Sequence, residues 1–432
     1  MRIALIYPNR YAKYNVKERE FYRVPPYNLL VLAGLTPRDF EIEIIDERYE
    51  KINFDKKYDL VGITALTCNA PRAYEIASEF RHRGVKVILG GIHPTFLPYE
   101  AIKYADSVVL GEAESIWREV LQDAQRGKLR KFYKGKLCDL KDTPFPRWDL
   151  LKKLKRYVFF VQATRGCPNN CKFCSVPKFS GRRLRVKPIE KIVEEIKKFG
   201  KKFVIFVDDN IFARKEYAFK LFKALKSLRI KWGGEASINT LCNFDLIKEA
   251  AKSGCKALFV GLETIKQKSL EFLNKTFNAL IDFKKLVEVL HRNGIAVIAS
   301  MMFGLDHDDA GIFRRTVNFL DEAKVDAAIF SILTPLPGTD LFEQFQKEGR
   351  ILHYDWSKYD ALHCVFKPKR MTKEQLENGL KFVYREFYSP LRVLKRIPRM
   401  LKVCPFMIPV NIGYMIGARR GICPDWRKKI PR

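Results

Sequence analysis

Eleven short apolar runs, separated by amphipathic stretches, recur in two groups between residues 1 and 340. Runs of this length, bounded by helical spacing, read as β-strands joined through helices. Strands connected in that way lie parallel, because each crossover carries the chain back to the end of the sheet where the last strand began. The first group, up to about residue 126, is RIALIYP, EIEIID, DLVGITAL, VKVILGG and DSVVLGE, with helical spacing from Asn28, Pro71, Tyr99 and Ala113. It predicts a five-stranded, doubly wound, Rossmann-like α/β sheet over residues 1–126, with its ligand beyond the carboxyl ends of the strands. The polar residues at those ends are Thr64 and Thr67, Gly90 and Gly91 with His93, and Gly111 with Glu112.

Residues 127–156 are basic and carry Pro144 and Pro146, so they read as a linker. A second group starts near Tyr157 with YVFFVQAT, KFVIFVDD, WGGEASIN, KALFVGLE, IAVIASMMFG and DAAIFSIL. Six consecutive parallel units curl into a partial (β/α)6 TIM barrel over residues 157–340, whose chemistry belongs at the carboxyl-end mouth. Residues 341–432 form a mostly helical, basic C-terminal extension with one clear helix, near Lys373 to Phe387.

The opening MRIALIYP fits a first strand better than a secretory signal, which predicts a cytoplasmic chain. Its ten cysteines are then expected to stay reduced and free to bind metal. The net charge is +31, and from Pro390 onward eleven Lys or Arg face the single acid Asp425. Such a balance attracts anionic partners: nucleic acid, acidic lipid or a phosphorylated substrate. The apolar run from Val403 to Ala418 is too short to span a bilayer and is broken by Pro405, Pro409 and Asn411. Flanked by cations, it either contacts a membrane peripherally or covers the barrel core.

RGCPNNCKFCSV, residues 165–176, follows the first barrel strand and sets Cys167, Cys171 and Cys174 on one loop. Zinc wants a fourth ligand, usually from a second Cys or His group, and none is close in sequence. An iron–sulfur cluster held by three thiolates keeps one iron open to a substrate. This CxxxCxxC, with the aromatic Phe173 ahead of its last cysteine, resembles the radical S-adenosylmethionine superfamily. VGITALT, ILGGIHPT and VVLGEAE resemble the cobalamin-binding domain of that superfamily's cobalamin-type members, so the likeness covers roughly residues 1–370.

The resemblance implies a 4Fe-4S cluster on Cys167, Cys171 and Cys174, fed by a reductant such as flavodoxin or ferredoxin. S-adenosylmethionine would bind its open iron and be cleaved to a 5′-deoxyadenosyl radical. Phe173 would lie against the adenine or serve as a core aromatic. Asp208 and Asp209 replace the family's Gly-Gly-Glu stretch and either receive the methionine amino group or cap the next helix. Ser237, with Glu235 as its alternative, would contact the methionine moiety, Glu263 the ribose hydroxyls and Lys275 the methionine carboxylate. Cobalamin is the second implied cofactor, its nucleotide tail held by Thr64 and Thr67 and passing Gly90 and Gly91, near Gly111 and Glu112. The Asp-x-His-x-x-Gly signature that ligates cobalt in other cobalamin folds is absent, and His93 is the nearest histidine.

Many such relatives methylate carbon, and others are radical enzymes such as anaerobic tetrapyrrole cyclases. The expected reaction is cobalamin-dependent methylation of an unactivated carbon in a small or apolar, lipid- or tetrapyrrole-like substrate. A non-methylating cyclase or oxidoreductase is the alternative. Nucleic-acid modification fits less well: methylthiotransferase relatives carry three further cluster cysteines in the first domain, where only Cys68 and Cys138 precede this motif. The segment after the barrel is expected to close over the mouth as a lid.

Overall fold

The structure, a computed structural model, describes residues 1–10, 23–200 and 202–419, so residues 420–432 of the expected basic tail lie outside the described residues. β1 (Arg2–Tyr7), β2 (Glu41–Asp46), β3 (Leu60–Thr64), β4 (Lys86–Gly90), β5 (Ser107–Leu110) and β6 (Phe132–Lys134) form one sheet in the order β2-β1-β3-β4-β5-β6. Every pairing is parallel. Ile3, Ala4, Leu5 and Ile6 of β1 are all fully buried, as a strand covered on both faces requires. The sheet has six strands, not five, and β6 falls inside the expected linker. Three residues between basic loops are too few to display any alternation. Strand order reverses between β1 and β3, which opens a crevice at their carboxyl ends.

The second sheet begins with β7 (Phe159–Val161), followed by a small antiparallel ladder of β8 (Thr164–Arg165) and β9 (Arg185–Val186). β10 (Phe203–Phe206), β11 (Lys231–Ala236), β12 (Cys255–Glu263), β13 (Ala296–Phe303) and β14 (Ala327–Ile332) complete it in the order β14-β13-β12-β11-β10-β7. This is the expected six-stranded partial barrel, left open between β14 and β7. In β13 the residues Val297, Ala299 and Met301 are buried, while Ile298, Ser300 and Met302 alternate with them and remain partly open. Parallel register sets Glu235 beside Phe259 and Phe259 beside Ile298, so these side chains share the face that lines the hollow. Ser300 and Ile329, then Met302 and Ser331, continue that wall.

The helix Lys373–Phe387 starts with a capping box in which Thr372 and Gln375 satisfy each other's backbone. Just past its end, the Tyr388 hydroxyl accepts from the Ala328 N–H (2.9 Å) and donates to the Ala328 carbonyl (2.8 Å). Tyr384 treats Phe330 in the same way, at 3.1 and 2.9 Å. The edge strand β14 is thereby capped by two phenols instead of a neighbouring strand.

Two further helices follow where only one was expected in the whole extension: Pro390–Val403 and Met407–Arg419. Met400, Val403, Cys404 and Met407 pack on Ala296 and Ala327, the first residues of β13 and β14. Asn411 Nδ2 donates to the Asp326 carbonyl (3.0 Å), and the Phe406 ring lies 5.8 Å from that of Phe203, the first residue of β10. The two helices therefore seal the amino-terminal end of the barrel. The expected lid over the mouth is not formed by this run, because its apolar residues are used to close the opposite end. Among the described residues, no helix is long and apolar enough to cross a membrane.

Candidate active site

The thiol loop hangs between β8 and β9. Gly166 enters it at φ 94°, where a Cβ would stand 2.8 Å from the Arg183 carbonyl oxygen and 2.9 Å from that of Gly181. Only glycine fits there without moving backbone. The Cys167 N–H donates to Gly181 O (3.3 Å), Lys172 N–H to Leu273 O (3.1 Å) and Cys174 N–H to Cys171 O (3.0 Å). The loop is thus tied down along its length.

Burial, aided by the charge of neighbouring thiols, pushes the Cys171 thiol up to about 11 and the Cys174 thiol to about 12. Any metal bound here must displace those protons. Among the described residues, the trio whose ligand atoms all lie within 4.8 Å of one another is Glu112, Glu114 and Cys138, not the loop thiols. Zinc at ~2.3 Å from each sulfur would draw tetrahedral ligands to within about 3.8 Å of each other. Cys167, Cys171 and Cys174 form no such compact trio, and three thiolates on one loop are the donor set of an iron–sulfur cluster that keeps one iron open. Phe173 is partly buried and packs against the main core.

Glu263 ends β12 at φ 69°, and its carboxylate lies 2.7 Å from Lys275 Nζ. The same ammonium donates to the Gly261 carbonyl at 3.1 Å. A Cβ on Gly261 would meet Glu263 Oε1 at 2.5 Å and Lys275 Nζ at 2.8 Å, so the pair folds over bare backbone. Burial opposes the charge on Lys275, yet Glu263 and the thiols of Cys171 and Cys174 hold its pKa above the usual lysine value. The two residues expected to hold ribose and carboxylate are here engaged with each other, beside the thiol loop.

The neighbouring aspartates separate. Asp208 is fully buried, and its carboxylate accepts from the N–H groups of Ala163 (3.1 Å) and Thr164. Burial pushes it up to about 7 in spite of those donors. It clamps the backbone between β7 and β8, and is neither a helix cap nor a ligand facing the hollow. Asp209 accepts from the Gly166 N–H and faces the interdomain cavity, its pKa raised by burial. Glu235 is open to the hollow but closely walled, and desolvation with the charges of Asp209, Asp208 and Glu263 pushes it up to about 7.

Ser237 Oγ accepts from Asn169 Nδ2 (3.0 Å), which ties the thiol loop to the end of β11. Asn210 Oδ1 accepts from the Ser237 N–H (3.3 Å) and from Thr240 Oγ1 (3.1 Å). Sequence reasoning missed both asparagines. Their only signal was position, inside the cysteine motif for Asn169 and directly after the aspartate pair for Asn210.

A cavity of about 440 Å³ opens between the two sheets at the β1/β3 crevice, within the size range of small-molecule sites. Thr64, Gly90, Gly91 and Gly111 line it from the first sheet, and Gln162, Arg165 and Asp209 from the barrel. Thr64 Oγ1 accepts from Asn28 Nδ2 at 2.9 Å. Gly91 has φ 99°, and a Cβ there would stand 2.8 Å from the Ala65 carbonyl oxygen. A glycine floor with a polar rim fits the close passage of a cofactor chain.

Two residues expected at this site are elsewhere. Thr67 opens the turn Thr67–Asn69 and is buried away from the cavity. His93 is fully buried, its Nε2 3.3 Å from Glu100 Oε1 and its ring 5.3 Å from that of Trp356. The left-handed turn at Gly91 carries the chain behind the cavity floor before His93 is reached. Among the described residues lining the cavity, none is a histidine.

Glu112 stays in the wall, but its carboxylate is bidentate with Arg185 (2.6 and 2.7 Å) and lies 3.3 Å from Arg165. Arg165 also holds Glu114 at 2.7 Å. Burial alone would raise the Glu112 pKa; the two guanidinium groups outweigh it and hold the carboxyl below the usual range. The compact trio of Glu112, Glu114 and Cys138 is therefore already neutralised by arginines, which join the first sheet to the base of the thiol loop.

Residues 161–320 match the family model of the radical SAM superfamily, and residues 21–121 that of the B12 binding domain. The chain is 35% identical over 388 residues to bacteriochlorophyllide d C-12(1)-methyltransferase of Chlorobaculum tepidum, spanning 86% of this chain and 84% of that protein. It is equally similar, 35% over 392 residues, to the C-8(2)-methyltransferase of the same organism, with 85% and 86% covered. It is 27% identical to the anaerobic magnesium-protoporphyrin IX monomethyl ester cyclase of Rubrivivax gelatinosus, over 90% of this chain and 77% of that one. The fold matches that of OxsB, a cobalamin-dependent S-adenosylmethionine radical enzyme, with a TM-score of 0.69 at 15% identity, covering 97% of this chain and 71% of OxsB. It also matches TsrM, a radical S-adenosylmethionine methyltransferase from Kitasatospora setae, with a TM-score of 0.65 at 17% identity, covering 80% and 75%.

Proposed function

The chain belongs to the radical SAM superfamily, in the group that carries a B12 binding domain, and from that premise we propose that it methylates an unactivated carbon of an apolar, tetrapyrrole-like small molecule. One arrangement carries this reading. The crevice of the first sheet opens onto a cavity walled on its other side by Gln162, Arg165 and Asp209, of which Arg165 directly precedes the thiol loop and Asp209 accepts from the Gly166 N–H at its start.

Cys167, Cys171 and Cys174 would hold the 4Fe-4S cluster, and Thr64, Gly90, Gly91 and Gly111 would flank cobalamin. When bound, these groups supply the electron that cleaves S-adenosylmethionine and the carrier for a methyl group. The chain's own work is placement and charge. Lys275 holds a positive charge against the thiol loop, and Asn169 with Ser237 fixes that loop to β11. Asp209 and Glu235 would accept from the amino and hydroxyl groups of S-adenosylmethionine at the mouth, while Glu263 is held by Lys275. Phe259, Ile298, Met302 and Ile329 make the hollow's wall largely apolar, which suits a hydrophobic acceptor and keeps water from a reactive species.

Anaerobic incubation of reconstituted protein with flavodoxin or ferredoxin, S-adenosylmethionine and a bacteriochlorophyllide-type tetrapyrrole tests this reading. We expect S-adenosylhomocysteine and 5′-deoxyadenosine to form together, with product heavier by one methylene. The cyclase relative supports a second reading, which predicts deoxyadenosine without S-adenosylhomocysteine. Absence of both products with tetrapyrrole and hopanoid-type acceptors alike would overturn the methyltransferase reading.

A further inference from the structure

The helix Pro390–Val403 has three distinct faces. Val393, Arg396, Met400 and Val403 are buried toward the rest of the chain. On the opposite side Leu391, Leu394 and Leu401 are 64%, 61% and 58% exposed, unusual for leucines on a helix that already has an apolar face to bury. Helical spacing puts these three within one third of a turn of each other. Lys395 and Lys402, seven residues apart, form an adjoining exposed row, and neither has an acid partner among the described residues. The helix itself contains no acid. Beyond it, Phe406 is 54% exposed, which carries the apolar surface on toward the last described helix.

We propose that this face docks on an anionic lipid bilayer. Leucines beside a row of unpaired lysines match the two layers of a membrane surface, acyl chains below and phosphate above. A second copy of the chain fits poorly, since a twofold contact would set the lysine row against itself. A nucleic acid would satisfy the lysines and leave the leucines in water. The same helix seals the amino-terminal end of the barrel, so docking turns the thiol loop and the interdomain cavity away from the bilayer, toward soluble reductants. The proposal does not depend on the methyltransferase reading.

Flotation of the full chain with vesicles provides the test, using phosphatidylcholine alone or mixed in equal parts with phosphatidylglycerol. The protein should float with the anionic vesicles, less so in high salt, and not with phosphatidylcholine. Lys395→Gln with Lys402→Gln should weaken that binding roughly thirtyfold. Leu391→Ser with Leu394→Ser and Leu401→Ser should abolish it. Because all five side chains are exposed, both variants should keep the wild-type unfolding midpoint and near-ultraviolet spectrum, and their deoxyadenosine production without vesicles should be unchanged. Should the leucine variant not fold, the lysine variant decides alone. Equal flotation of wild type and variants, or no flotation at all, overturns the proposal. A dimer in sedimentation that the leucine variant converts to monomer assigns the face to a second copy and equally overturns it.

Discussion

Lys275 Nζ stands 2.7 Å from Glu263 Oε1, with each side chain only 7% exposed. Removing one partner leaves a buried charge uncompensated, which typically costs roughly 3–5 kcal/mol. Lys275→Met and Glu263→Gln should each lower the unfolding free energy by about that amount in protein free of S-adenosylmethionine. The double variant should recover more than about 1 kcal/mol of the summed loss. Urea titrations of the four proteins measure this coupling, and strict additivity would show that the pair is not formed in solution.

Cys167, Cys171 and Cys174 share a loop pinned by Gly166 and Gly181 backbone, and Cys138 lies apart from it between two arginines. Alanine at any of the three loop positions should remove the cluster's visible absorbance and reduce deoxyadenosine to background. Cys138→Ala should retain both. Iron and sulfide assays of the four anaerobically reconstituted variants check this, and loss of iron from Cys138→Ala would contradict it.

His93 and Gly91 are two residues apart and should behave oppositely. His93→Ala empties a fully buried site against Trp356 and Tyr74 and should destabilise by roughly 2–3 kcal/mol. Its cobalamin content should be unchanged. Gly91→Val forces a branched side chain into φ 99° and toward the Ala65 carbonyl, and should sharply reduce cobalamin retention. Cobalt content after gel filtration, together with thermal unfolding, separates the two effects.

The Glu112 network predicts a pH dependence with a definite sign. Its folded pKa is held below the ordinary 4.5, so the stabilisation is complete above that value and is lost as pH falls through the lower, folded pKa. At pH 7, Glu112→Gln should destabilise the protein by roughly 3 kcal/mol, since Arg165 and Arg185 lose their shared partner. The difference from wild type should shrink as pH drops below about 4.5. A difference that stays constant into acid would remove the carboxylate from the explanation.

The repeating βα pattern made both sheets legible, because burial on both faces writes long apolar runs into the sequence. β6 escaped notice because Phe132–Lys134 is too short to carry any period. The two last helices were hidden by their prolines. Pro398 lies inside Pro390–Val403 on its solvent side, and Pro409 falls in the first turn of Met407–Arg419, where no intrahelical N–H bond is lost. Within the site, the cysteines stood out by spacing alone. The jobs of Asp208 and Asp209 did not, since one carboxylate turns to the backbone of β7–β8 and the other to the cavity, and adjacency in sequence says nothing about which.

Arg165 is two residues ahead of Cys167 and grips acids that extend from β5 of the other sheet. One guanidinium thus acts as a spacer between two workshops of the same enzyme. Drift of either half must pull on it.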